Sequence, residues 1–226
     1  MQSIYFVDSN FTYESSKKSI LSIRYATDGF SFCVHDETEK LVVFVHEPYA
    51  ADSREAAVAR LKNYVVNDAI LNLRFKKVYI MPCFKEKLLV PGAFFDKANI
   101  TTLYTVNQEV SSDDTILYHH IEGIEAYLVE TVISSFHDFV REHFPVFQIV
   151  NGAYPFILGA IGKALRDTEQ IFLDIQDNYF DLLFIRDSGI QLFNTFSYQA
   201  TTDIVYFLLN CIKAVSYTHL TLPTIA

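Results

Sequence analysis

The residues of this chain that could do chemistry are few and scattered. Asp174 closes an apolar run and is followed by Gln176, Asp177 and Asn178. Asp174 and Asp177 could form a carboxylate pair; the plainer reading is a turn in which Asp177 bonds its own backbone. Asp28-Gly29 is the strongest short hairpin signal, because glycine tolerates the positive φ of a tight turn. His119 and His120, near Glu122 and Glu125, would suit a metal ion only if they converged. Neighbours on a strand point to opposite faces, so these histidines read as solvated loop or edge residues. His137 and His143 are six positions apart on a helical pattern and do not share a face. The sequence holds no G-x-S-x-G, no C-x-x-C and no G-x-x-x-x-G-K-[ST]. No catalytic residue and no metal site is assigned.

The elements that must position these residues follow from apolar periodicity. Leu21–Ala26, Phe30–His35 and Leu41–His46 read as a three-strand meander, and Pro48 ends the third strand. A helix starts at Ser53 with Asp52 or Ser53 as its cap and Glu55 in the first turn. Its buried face is Ala57, Leu61, Tyr64 and Val65. Strands follow at Lys77–Met81 and Leu88–Val90, then a short helix at Ala93–Asn99. Thr115–His119 and Glu125–Val129 are strand-like, and Glu130–His143 has helical spacing. Val146–Val150 reads as a strand and Tyr154–Arg166 as an apolar helix. The opening unit then returns. Gln170–Ile175, Tyr179–Arg186 and Ile190–Ser197 are strands, and Thr201–Asp203 cap a helix to about Ala214. At an offset of about 150 residues the two units superpose without a gap, Asp28 falling on Asn178 and Phe30 on Phe180. Few residues are identical. The order and length of elements repeat.

Composition narrows the partners. The 226 residues are 50% hydrophobic and 20% charged, enough for a large core. A net charge of −9, with 18 scattered Lys and Arg, argues against nucleic acid and anionic membranes. No apolar stretch reaches the roughly 20 residues of a membrane span. Cys33, Cys83 and Cys211 are far apart in apolar runs and read as buried free thiols of a reducing compartment. No signal-peptide pattern opens the chain, so a cytoplasmic protein is expected.

Two lobes, each opening with a meander and a helix, resemble the actin-like ATPase superfamily of sugar kinases, heat-shock ATPase and actin. A closer likeness is to an uncharacterised bacterial family, a domain of unknown function grouped with those ATPases. It rests on Ser22–Val34, Ile70–Ile80 and Asn178–Ile185 and spans roughly 21–214. The resemblance implies an α/β fold of two ribonuclease H-like lobes, each a three-strand meander plus parallel strands with flanking helices. It also implies a test. Active members carry an acid late in the first strand of each lobe, then a glycine-rich turn that cradles phosphate while the acids place Mg²⁺. Here the first lobe offers Ile23–Thr27 and no carboxylate before Asp28. The second lobe has Asp174, but Gln176, Asp177 and Asn178 replace the glycines, and a Cβ at each obstructs close approach. The nucleotide-site candidates are thus Asp28, Gly29, Asp174, Gln176, Asp177 and Asn178.

The expected organisation is an N-terminal arm over 1–20, a first lobe over 21–110, an incomplete second lobe over 111–214 and a tail over 215–226. The tail, Val215–Thr224, resembles the translation of a transposase-end adapter used in preparing sequencing libraries, which places the end of native sequence near Ala214. Exposed apolar surface is expected on the second lobe. The function expected is that of a catalytically degenerate actin-like protein, without cofactor, that binds an unidentified protein partner. The alternative is an ATP- and Mg²⁺-binding switch that uses Asp174. A small-molecule sensor is a third option.

Overall fold

A computed structural model describes residues 2–187 and 189–217. The chain runs β1 (Ile4–Val7), α1 (Tyr13–Ser16), β2 (Ile20–Ala26), β3 (Gly29–His35), β4 (Leu41–Pro48) and α2 (Arg54–Asn67). It continues with β5 (Lys77–Pro82), β6 (Lys87–Pro91), α3 (Ile100–Asn107), β7 (Asp114–His120), β8 (Ala126–Ile133), α4 (Ser134–His143) and β9 (Phe147–Ile149). Then come α5 (Ala153–Lys163), β10 (Glu169–Ile175), β11 (Tyr179–Arg186), β12 (Gly189–Ser197) and α6 (Thr201–Tyr217).

Two compact units divide the chain, residues 1–154 and 155–226. In the first, six strands form a sheet in the order β1-β4-β3-β2-β5-β9. The meander β2–β3–β4 is antiparallel, while β5 joins β2 and β9 joins β5 in parallel. Leu21, Ile23, Tyr25, Phe30, Phe32, Val43 and Val45 point alternately to one face and are buried. On that face they meet Ala57, Val58, Leu61 and Val65 of α2 and Phe136 and Val140 of α4. Helix α2 starts where Ser53 accepts the Ala56 amide at 3.2 Å, a side-chain cap. A second sheet of the same unit, β6-β8-β7, is built from the chain inserted between β5 and β9. With α3 it buries Val90, Ile100, Tyr104 and Val129.

The division differs from the expected boundary between 110 and 111. Strand β8 pairs with both β6 and β7, and β9 joins the sheet that holds β2, so residues 111–154 belong with the first unit. Two elements also shift. The helix expected at Ala93–Asn99 is a short 3-10 turn, Gly92–Phe94, followed by α3. The Asp96 carboxylate accepts the Ala98 amide and the Asn99 side chain, and this local turn delays the helix. Glu130–Ile133, expected as the first turn of a helix, ends β8 instead. That stretch is buried on both faces, where periodicity cannot separate strand from helix.

The second unit carries an antiparallel sheet in the order β10-β11-β12. Phe180, Leu182 and Phe184 form its core with Ile204, Phe207, Leu208 and Cys211 of α6. The outer stripe of α6, with Val205, Tyr206, Leu209 and Ile212, is exposed. Val215–Tyr217 continue α6, and the rest of the expected tail, 218–226, lies outside the described residues.

Candidate functional site

The first pair of predicted residues, Asp28 and Gly29, lies in the tight turn between β2 and β3. The Thr27 carbonyl accepts the Ala51 amide at 2.8 Å, and the Asp28 carbonyl accepts the Tyr49 amide at 3.1 Å. Gly29 has φ +151°, and a Cβ there would stand 2.7 Å from the Glu47 carbonyl oxygen. The glycine is therefore needed for packing against the end of β4. Asp28 Oδ1 is buried and lies 3.7 Å from the Arg24 guanidinium, an ion pair too long for a hydrogen bond. The acid of this turn faces a cation of its own strand.

The second set lies at the turn from β10 to β11. Gln176 donates its side-chain amide to Asp174 Oδ1 at 2.9 Å. The Gln176 amide donates to the Tyr179 carbonyl, and the Tyr198 hydroxyl donates to the Gln176 carbonyl at 2.6 Å. These bonds close the turn. The self-bonded turn expected at Asp177 is not what forms; Asp177 and Asn178 are exposed. Nor does Asp174 pair with Asp177. It stands opposite Asp181 across the strands, and the buried Asp181 accepts the Thr195 hydroxyl at 2.6 Å. No glycine lies between Asp174 and Tyr179.

The histidine expectation is half corrected. His119 and His120 do point to opposite faces, but His119 is partly buried. Its Nε2 is buried, 3.7 Å from Oε1 of Glu130 on the neighbouring strand, and neither atom has a hydrogen-bond partner. Glu130 is 1% exposed and accepts the Asn151 side-chain amide at 2.9 Å. Asn151 in turn accepts the Ala153 amide at the start of α5. Lys87, also buried, is the cross-strand neighbour of Glu130 and donates to the Phe84 carbonyl at 3.0 Å. Burial pushes the Glu130 carboxyl up to about 7, against the Asn151 hydrogen bond and the Lys87 charge, which pull it down. Burial pulls the His119 ring below its ordinary value. Sequence reasoning missed this cluster because Glu130 reads there as the first residue of a helix. Nearby, Arg54 joins Asp114 at 2.5 Å and Thr131 at 2.9 Å, at the rim of a cavity of about 340 Å³ that Glu86 and Glu109 also line. Among the described residues no group of three or more His, Cys, Asp or Glu could hold a metal ion, and no helix is long and apolar enough to cross a membrane.

A family model for proteins of unknown function, DUF3822, matches residues 8–225. The chain belongs to the DUF3822 family. Among solved structures, it is similar to a Bacteroides thetaiotaomicron protein described as having an actin-like ATPase fold and unknown function. That likeness has a TM-score of 0.83 at 23% identity and covers 91% of this chain and 80% of that one. The DUF3822 chain thus has the actin-like ATPase fold. Looser likenesses are to a PilM–PilN type IV pilus biogenesis complex and to an exopolyphosphatase from Cytophaga hutchinsonii. The first has a TM-score of 0.49 at 12% identity and covers 79% of this chain and 61% of that one. The second has a TM-score of 0.36 at 11% identity and covers 84% of this chain and 53% of that one. The chain spans less than two thirds of either, and neither bears on what it does. No curated protein sequence matches it.

Proposed function

We propose that this DUF3822 protein works by binding another protein, keeping the actin-like framework and lacking its phosphate chemistry. One observation carries the reading: in both turns the groups that would serve Mg²⁺ and phosphate are engaged by the chain itself. Gly29 is committed to the Glu47 carbonyl and Asp28 faces Arg24. Asp174 takes the Gln176 amide, and side chains at Gln176, Asp177 and Asn178 stand where backbone N–H groups would have to approach phosphate. Metal-assisted phosphoryl transfer needs the acids, the metal and the backbone cradle together. Exposed apolar side chains supply contact surface: Ile4, Tyr5 and Phe6 on β1, and Val205, Tyr206 and Leu209 on α6.

Calorimetry of the protein with ATP and Mg²⁺, alongside Asp174→Ala, tests the first half. No binding that depends on Asp174 is expected. Submillimolar binding lost in Asp174→Ala overturns the reading in favour of an ATP-binding switch. The second half is tested by the size of the protein in a native cell extract. It should elute larger than the purified chain, and Tyr5→Glu or Leu209→Glu should restore the smaller size.

A further inference from the structure

Glu130 sits where four segments of the first unit meet. It lies on β8 between Lys87 of β6 and Leu117 of β7. His119 of β7 is its diagonal neighbour on the same face, and Asn151, just past β9, donates to its Oε2. Asn151 also accepts the first amide of α5, so the Glu130 carboxyl is one hydrogen-bonded step from that helix. The inserted sheet is thereby tied to the exit of the central sheet. The tie is incomplete: Glu130 Oε1 and His119 Nε2 face each other at 3.7 Å, each buried and each without a hydrogen-bond partner.

A proton on the carboxyl completes it. The O–H can then donate to Nε2 of a neutral imidazole, and the buried Lys87 ammonium keeps its hydrogen bond to the Phe84 carbonyl. Loss of that proton leaves a carboxylate at 1% exposure, with the Lys87 ammonium as its cross-strand counter-charge. The other ionisable groups nearby do not replace it. Tyr25 is wholly buried, and burial, reinforced by the Glu130 charge, keeps its phenol neutral. Tyr104 is held neutral by burial and donates to the Glu86 carbonyl. Arg54 is engaged by Asp114 and Thr131.

We propose that Glu130, His119 and Asn151 form a proton-controlled latch, which when protonated fastens the inserted sheet to the β9–α5 junction and when ionised loosens it. The latch is independent of the protein-binding reading. The direction follows from linkage: a buried acid whose pKa is raised on folding holds the structure more tightly below its folded pKa and less tightly above it.

Hydrogen exchange of the full chain, followed by mass spectrometry at pH 6 and pH 8 and corrected for intrinsic exchange, tests this. Segments 126–133 and 149–157 should open roughly three- to tenfold more at pH 8, the lower figure allowing for the opposite contribution of His119. Segment 169–186 should not change. Glu130→Gln should flatten the dependence. Equal protection of the wild type at both pH values, or an unaltered dependence in Glu130→Gln, overturns the latch. Should that variant fail to fold, carbon-detected NMR titration of wild-type Glu130 decides: an inflection near neutrality supports the latch and one in the ordinary carboxylate range overturns it.

Discussion

The two repeats, β2–β3–β4–α2 and β10–β11–β12–α6, share an order of elements and differ in what surrounds them. The first is extended by β5, β9 and β1 into six strands, and its helix is sunk into the core with Leu61 at 1% exposure. The second stands as three strands, and its helix leaves Leu209 52% exposed. Their turns diverge in the same way. Gly29 closes a tight turn against a neighbouring carbonyl, whereas Gln176–Asn178 closes by side-chain and backbone bonds of its own. One duplicated pattern thus supports two different local economies of packing. Neither turn is glycine-rich.

Helix truncations test the comparison most severely. Leu61→Ala should cost about 2–5 kcal/mol, because a buried side chain leaves a cavity. Leu209→Ala should stay within about 0.5 kcal/mol in the purified protein. Urea unfolding of both variants measures this, and equal losses would mean that α6 is as deeply packed as α2. The turns come next. Gly29→Ala meets both a positive φ and the Glu47 carbonyl and should cost about 2 kcal/mol. Gly189→Ala, with its nearest neighbours at 3.5 Å, should change stability by less than about 0.5 kcal/mol. Thermal melts of the pair separate these outcomes.

The smallest effect concerns the caps. Ser53 caps α2 with a neutral hydroxyl, and the acid of that first turn, Glu55, is held below its ordinary value by its own backbone amide and by the Ser53 hydroxyl. At α6, the Gln199 and then the Ala200 amides donate to Asp203 and hold its carboxyl below the ordinary aspartate value. That contribution is present above the unfolded-state pKa and is lost as pH falls through the lower folded value. Acid titration by NMR should therefore move the Gln199 and Ala200 amides, with an inflection below the usual aspartate range. At α2 the low inflection should instead be centred on the Glu55 amide. The absence of a low inflection at the Gln199 and Ala200 amides would overturn this.

Much of the fold is legible in the sequence, and the reasons differ by element. The meander and α2 were readable because β2 and β3 alternate, β4 is an apolar run ended by Pro48, and the Ala57–Leu61–Val65 spacing survives in the letters. Glu130 was not readable, because β8 is buried on both faces and its apolar run fits either period. His119 was misplaced for a different reason: its neighbour across the sheet is set by the pairing of β7 with β8, which no local pattern encodes. Of the site residues, Asp174 and Gln176 are two positions apart in sequence, and the turn brings them into contact. The Glu130–Asn151 contact joins residues 21 positions apart through three elements.

The sequence by itself determined the repeated order of elements and the residue types of the two turns. These are properties of local period, residue type and length. Tertiary structure decided where the first unit ends, because β9 returns to β5 across the inserted sheet. It also decided which acid is buried. Burial depends on what packs against a side chain from distant parts of the chain, and at Glu130 those parts are β6, β7 and the turn after β9.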